Sequence, residues 1–220
     1  MTSWWQVHNT YTRPAADAAV EHEIEIKRSR FICLIARVTD DESARAFIDE
    51  ARQRFPDARH HCSAYIYHVE DSHPVERSSD DGEPSGTAGK PMLDVLKGSG
   101  MMDIAAVVIR YFGGVKLGAG GLVHAYGGVV SEAMEFVEPV ERSIRKLYTL
   151  NAPHAEAGRW EAELRNRGYD VLGVDYASMA TMTLAVAPGG EIELFDTIAA
   201  LTQASAEAKE AGTQWVEIAK

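Results

Sequence analysis

The chain has 220 residues, is 45% hydrophobic and 25% charged, and carries a formal net charge of −11. That length accommodates one ordinary domain and a small second one, and that composition can bury a core. The acidic balance excludes nucleic-acid binding by bulk electrostatics and leaves only a local basic patch for such a role. Two cysteines, Cys33 and Cys62, make neither a disulfide framework nor a zinc cluster.

MTSWWQVHNT at the start lacks the basic and apolar regions of a signal peptide. The longest aliphatic run, Ile104–Ile109, is far below the ~20 residues of a membrane span. A soluble cytoplasmic protein with no membrane partner is expected. Glu23–Lys27 and Phe31–Val38 read as two strands, the second apolar enough to be buried on both faces, with Cys33 a buried reduced thiol. Lys27, Arg28 and Arg30 fall at the turn and read as a solvated hairpin. Thr39 and Glu42 form a capping box for a helix that buries Ala44, Phe47, Ile48, Ala51 and Phe55 and stops at Pro56.

Arg59-His60-His61-Cys62 then leads into a strand, Cys62–Val69. Neighbours on a strand point to opposite faces, so His61 and Cys62 do not converge on a metal. The open readings are hydrogen bonding at the strand start, or an edge where Arg59 and a histidine meet a phosphate or a base. Glu70–Gly82 reads as a loop. The stretch Ser78–Gly128 that follows holds 12 of the 18 glycines.

Asp80-Asp81-Gly82-Glu83-Pro84 is dense in turn signals. Its carboxylates Asp80, Asp81 and Glu83 either accept backbone N–H groups as a structural turn or hold Mg²⁺. Gly89-Lys90 is not a phosphate loop of the Walker type, because Pro84 stands where that loop needs glycine and Pro91 where it needs Ser or Thr. A short helix through Met92–Leu96, with Lys90 near its start, fits better.

Ile104–Phe112 reads as a strand, Gly113 to Gly121 as a glycine loop, and the residues from Leu122 as a helix. Strand, glycine loop and helix start make an anion site, because free N–H groups and the helix dipole face the loop. Gly113, Gly114, Gly118, Gly120 and Gly121 let a ligand approach the backbone; Lys116 and Arg110 can add charge. Val123 at the third position excludes the dinucleotide fingerprint. Gly127 and Gly128 inside the helix pattern suggest a backbone neighbour very close by.

Val137–Arg145 reads as a linker. Beyond it the periodicity gives strand Ile144–Asn151, helix Pro153–Arg167, strands Tyr169–Tyr176 and Met179–Ala187, helix Glu191–Gln203 and strand Thr213–Ile218, the βαββαβ order of a ferredoxin-like domain. Tyr148, Tyr169, Tyr176 and Trp215 are aromatics that such a sheet uses for packing or for RNA. The whole is expected to be α+β, with domains at 1–140 and 144–220.

DDGEPSGTAGKP followed by VVIRYFGGVKLGAGGLVHAYG, with HHCSAY upstream, resembles the IMPACT/YigZ family. The resemblance covers roughly residues 15–135, and the two-domain length looks like the bacterial YigZ branch. His124 departs from it, standing where the family usually has arginine; at a phosphate this makes a weaker or pH-dependent contact. The resemblance implies an N-terminal domain with the ribosomal-protein/GHMP-kinase-like fold and a C-terminal domain similar to a late domain of elongation factor G. It further implies a non-enzymatic, translation-associated regulator, without cofactor or metal, whose partners are RNA, the ribosome or a translation-regulatory protein. Eukaryotic relatives restrain a starvation-responsive initiation-factor kinase by competing for its activator. The ligand residues would be Arg59, His60, His61, Lys90, Arg110, Lys116, His124 and the five loop glycines. An enzyme that binds a nucleotide or other phosphorylated ligand at the loop, and a pure protein-interaction module, are the competing readings.

Overall fold

The computed structural model describes residues 10–16 and 19–219. Two compact units divide the chain, one running up to Glu141 and the other taking Arg142–Ile218.

Within the first unit, β2 (Val20–Ile26), β3 (Ser29–Arg37), β4 (His60–Tyr67), β5 (Val75–Ser79) and β6 (Ile104–Tyr111) form one antiparallel sheet in the order β2-β3-β6-β4-β5. An earlier strand, β1 (Thr10–Pro14), is tied to this unit by the Met102 N–H, which donates to the Thr12 carbonyl at 2.9 Å. Both faces of the sheet are covered. Phe31, Cys33 and Ile35 of β3 and Ala106 and Val108 of β6 pack under α2 (Gly89–Ser99) and α3 (Gly118–Met134). The alternate residues Ile32, Leu34, Val107 and Ile109 pack under α1 (Asp41–Arg54). Central strands buried on both sides must be apolar throughout, which is why β3 and β6 read as near-continuous hydrophobic runs. Each fully buried Ile or Phe there contributes about 1.5–3 kcal/mol.

Several local expectations shift. The capping box of α1 lies one residue further on: Asp40 Oδ1 accepts the Ser43 N–H at 2.7 Å, and Ser43 Oγ accepts the Asp40 N–H at 3.2 Å. Serine takes the role because its short side chain reaches back within the first turn. Glu70–Gly82 is only partly loop, since Val75–Ser79 forms the edge strand β5. The stretch Val137–Arg145, read as a linker, is mostly strand, since β7 runs from Pro139 to Ala152. The expected close neighbour of Gly127 and Gly128 is missing: a Cβ at Gly127 would first meet the Pro91 Cβ at an ordinary 3.8 Å, and one at Gly128 would meet nothing within 4 Å. The close approaches are at Gly89, where a Cβ would lie 2.7 Å from the Ser79 backbone, and at Gly113, where it would lie 2.0 Å from the Arg28 backbone.

In the second unit, β7, α4 (His154–Asn166), β8 (Asp170–Tyr176), β9 (Ala180–Val186), α5 (Glu191–Thr202) and β10 (Ala208–Ala219) follow the βαββαβ order. β9 lies between β7 and β8, and β10 pairs with β7. Trp160 and Leu164 of α4 and Leu194 and Ile198 of α5 close over Leu150, Met182 and Leu184. Tyr148 is buried, and Tyr169 packs on this core with its hydroxyl 3.0 Å from that of Thr197. Trp215 carries the Arg142 guanidinium 5.1 Å from its ring centre. Tyr176 alone of the four is largely exposed, with its ring stacked on His154 at 5.9 Å.

Candidate functional site

The acidic turn is built as a brace. One Asp80 oxygen accepts N–H groups from Ala88 and Gly89 at 3.0 and 2.8 Å, and the other accepts from Gly86 at 2.7 Å. The carboxylate therefore supplies the anion that the first turn of α2 needs. Burial pushes the Asp80 carboxyl up, but these three N–H groups outweigh it and hold the carboxyl below its ordinary value. Gly89 must lack a side chain for the turn to lie this close to β5. Asp81 closes the other side: its Oδ2 accepts the His61 N–H at 2.6 Å, and its carbonyl accepts from His60 Nδ1 at 2.8 Å. The Cys62 thiol donates to the Asp80 carbonyl at 3.0 Å, and burial pushes that thiol up to about 12.

Glu83 reaches inward. A single carboxylate oxygen accepts from Arg110 Nη1 at 2.6 Å and from the Tyr126 hydroxyl at 2.8 Å. Acidic turn, β6 and α3 are thus joined at one buried point. The Arg110 guanidinium lies between the Phe31 and Phe112 rings, 5.5 and 5.6 Å from their centres. Tyr126 stands edge-on to Phe31 at 5.3 Å, and burial drives its hydroxyl well above its usual range. All three carboxylates of the turn are thereby engaged by protein donors. Among the described residues no group of three or more His, Cys, Asp or Glu side chains is placed to hold a metal ion.

Strand register sorts the histidines and cations. Phe31, Arg110 and His60 face one another across β3, β6 and β4, so their side chains share the face under α2 and α3. His61 takes the opposite face and donates from Nε2 to the Phe55 carbonyl at 3.0 Å. Lys90 is exposed on α2 and pairs with Asp94 one turn along, at 3.3 Å. Arg110, fixed on Glu83, is buried rather than presented to the loop surface. Arg59, Lys116 and His124 are exposed.

The glycine loop is open. Gly113 donates to Ser29 Oγ at 3.1 Å and lies against the backbone of the β2–β3 turn. Gly114 and Gly118 take φ of +85° and +74°. From Leu117 into α3 no side chain caps the helix, and Gly118, Ala119 and Gly120 are exposed with Gly121 half-buried. The first turn of α2 is closed by Asp80, whereas that of α3 has free N–H groups and Lys116 beside it. Phe112, 58% exposed at the mouth of the loop, and the Lys27-Arg28 turn against Gly113 have no counterpart among the expected ligand residues. From the sequence Lys27 and Arg28 read only as a solvated hairpin and Phe112 as the end of a strand; their place at the loop comes from the β2–β3 register and the contact with Gly113.

Fold and site together define a two-domain α+β protein with a braced acidic turn and an uncapped glycine loop at one end of its first sheet. The chain belongs to the IMPACT family. Residues 27–134 match the model of the Impact N-terminal domain. The IMPACT family member YvyE of Bacillus subtilis is 39% identical over 90% of this chain and 91% of its own. The IMPACT family member YigZ of Escherichia coli is 41% identical over 83% of this chain and 88% of its own. A crystal structure described as that of a hypothetical protein covers 90% of this chain and 96% of its own, with 38% identity and a TM-score of 0.60. No helix among the described residues is long and apolar enough to cross a membrane.

Proposed function

We propose that this protein is a non-enzymatic, translation-associated regulator that binds RNA, the ribosome or a translation-regulatory protein through the end of the first sheet where the glycine loop enters α3. Membership of the IMPACT family supports the setting in translation. The observation that carries the site is the contrast between two helix starts: Asp80 occupies that of α2, and nothing caps that of α3. Free N–H groups and Lys116 suit a phosphate or carboxylate there. A binding role is favoured over phosphoryl chemistry because Asp80, Asp81 and Glu83 spend their oxygens on backbone N–H groups, Arg110 and Tyr126. We read the first unit as the ribosomal-protein/GHMP-kinase-like fold and the second as ferredoxin-like, related to a late domain of elongation factor G. The test is sedimentation of the full chain with ribosomes through sucrose at low and at raised salt. Association at low salt that is released at raised salt is the expected result. A protein that stays at the top of the gradient in both, and retains no partner from nuclease-treated lysate, ends this reading. Heat of binding to ATP or GTP with Mg²⁺ would favour the phosphorylated-ligand enzyme instead.

A further inference from the structure

Most lysines and arginines of the first unit are committed. Arg30 pairs with Glu23, Arg45 with Asp41, Arg52 with Asp49, Arg54 with Glu21, Lys97 with Glu76 and Arg110 with Glu83. Arg77 bonds the Glu76 carbonyl, Lys90 pairs with Asp94, Arg13 with Asp103, and Arg37 bonds the Pro14 carbonyl. Among the described residues of this unit, Lys27, Arg28, Arg59 and Lys116 alone have neither an ion pair nor a hydrogen bond to their charged ends.

These four are not scattered. Lys27 and Arg28 form the β2–β3 turn, whose backbone touches Gly113. Arg59 immediately precedes His60, which faces Arg110 just before β6 gives way to Phe112 and Gly113. Lys116 follows in the same loop. On a chain of net charge −11, every uncommitted cation of this unit therefore stands at one end of one sheet.

Phe112 stands among them, 58% exposed. The Arg110 guanidinium lies 5.6 Å from its ring centre and is itself locked by Glu83. A ring held against a fixed guanidinium with its remaining area open is able to stack a base.

The turn adds a third observation. Ile26 pairs with Ser29, leaving Lys27 and Arg28 as a two-residue connection with φ of +47° and +65°. Both central residues at positive φ call for Asn-Gly, and long β-carbon-bearing side chains are strained there. Two cations at positive φ are backbone outliers of the kind that cluster at ligand sites.

Resting on the function proposed above, we infer that this end of the sheet binds single-stranded RNA, with an unpaired base stacked on Phe112 and backbone phosphates neutralised by Lys27, Arg28, Arg59 and Lys116. Charge selects a polyanion, and the exposed ring selects a strand whose bases are free to stack. An A-form duplex hides its base faces and cannot use Phe112.

The experiment is fluorescence anisotropy of the full-length protein with a short labelled oligouridylate at low salt, against a duplex RNA of equal length. The single strand is expected to bind more tightly, with a slope of log affinity on log salt of about −3, from four phosphates at about −0.7 each. Phe112→Ala weakens binding by about 5- to 150-fold, the range expected for one stacked base, while Phe112→Trp retains it and quenches on binding. Lys27→Asn with Arg28→Gly relaxes the turn. Its melting temperature rises by about 2–4 °C, and its salt slope falls to about −1.4 with two phosphate contacts removed. Because this variant is expected to be more stable than the wild type, lost binding cannot be ascribed to misfolding. Equal affinity for the duplex, full affinity of Phe112→Ala, or an unchanged slope for the turn variant overturns the inference. If the wild type ignores the oligonucleotide yet still sediments with ribosomes or retains a partner from nuclease-treated lysate, this inference falls and the proposed function stands; if it does none of these, both fall.

Discussion

Glu83→Ala is the substitution that should do most damage per atom removed. It leaves the Arg110 cation, 7% exposed, with no carboxylate, and an uncompensated buried charge costs about 3–5 kcal/mol. The Tyr126 hydroxyl loses its acceptor at the same moment, for about 1–3 kcal/mol more. Both donors meet one oxygen, so the two costs overlap and a loss of about 4–6 kcal/mol is expected. That is a large share of the stability of an ordinary domain, at about 5–15 kcal/mol. Urea denaturation followed by circular dichroism gives the midpoint, and hydrogen exchange of the β3 and β6 amides assigns the loss to the first unit. Replacing the pair by apolar groups, Glu83→Leu with Arg110→Met, should recover most of it, because no charge is left stranded. A loss below about 1 kcal/mol in Glu83→Ala, or a double variant worse than either single one, would refute the account of this buried centre.

The remaining expectations are independent of one another. Asp80→Ala removes the acceptor of three N–H groups and should cost about 2–4 kcal/mol, measured by urea denaturation. Because the folded Asp80 carboxyl lies below its unfolded value, its contribution is fully present above that unfolded value, about 3.9, and fades as pH falls through the folded one; the gap between wild type and Asp80→Ala should narrow on acidification below about pH 4. Gly128→Ala should raise stability by up to about 1 kcal/mol, since a Cβ there meets nothing. Gly113→Ala should cost about 1–3 kcal/mol or more, since its Cβ would fall 2.0 Å from the Arg28 backbone. Both thiols should resist alkylation at neutral pH until the chain unfolds, because burial pushes Cys33 up and Cys62 up to about 12.

What could be read from the chain is what local pattern encodes. The apolar runs of β3 and β6 announce strands covered on both faces, and the 3.6-residue spacing of Ala44, Phe47, Ile48 and Ala51 places α1. The six elements of the second unit appear in order from turns and periodicity alone. β5 could not be read, because VERSS is polar and becomes a strand only through its pairing with β4. The capping residue of α1 slipped by one because Thr39, Asp40, Glu42 and Ser43 all suit a helix start. At the site, the acidic turn was recognisable as a turn, but the meeting of Glu83, Arg110 and Tyr126 joins residues 27 and 43 positions apart and depends on the register of β6 and the placement of α3. Lys27 and Arg28 look like any solvated hairpin until their positive φ and their contact with Gly113 are known.

The central claim is a division of labour: the acidic turn braces the fold, and the glycine loop with its cations meets the partner. The most direct measurement is the fraction of Lys116→Glu that sediments with ribosomes at low salt, relative to wild type. Lys116 is exposed and makes no ion pair, so the variant should fold as the wild type does and lose most of the association. Sedimentation of Lys116→Glu equal to that of an associating wild type would contradict the claim.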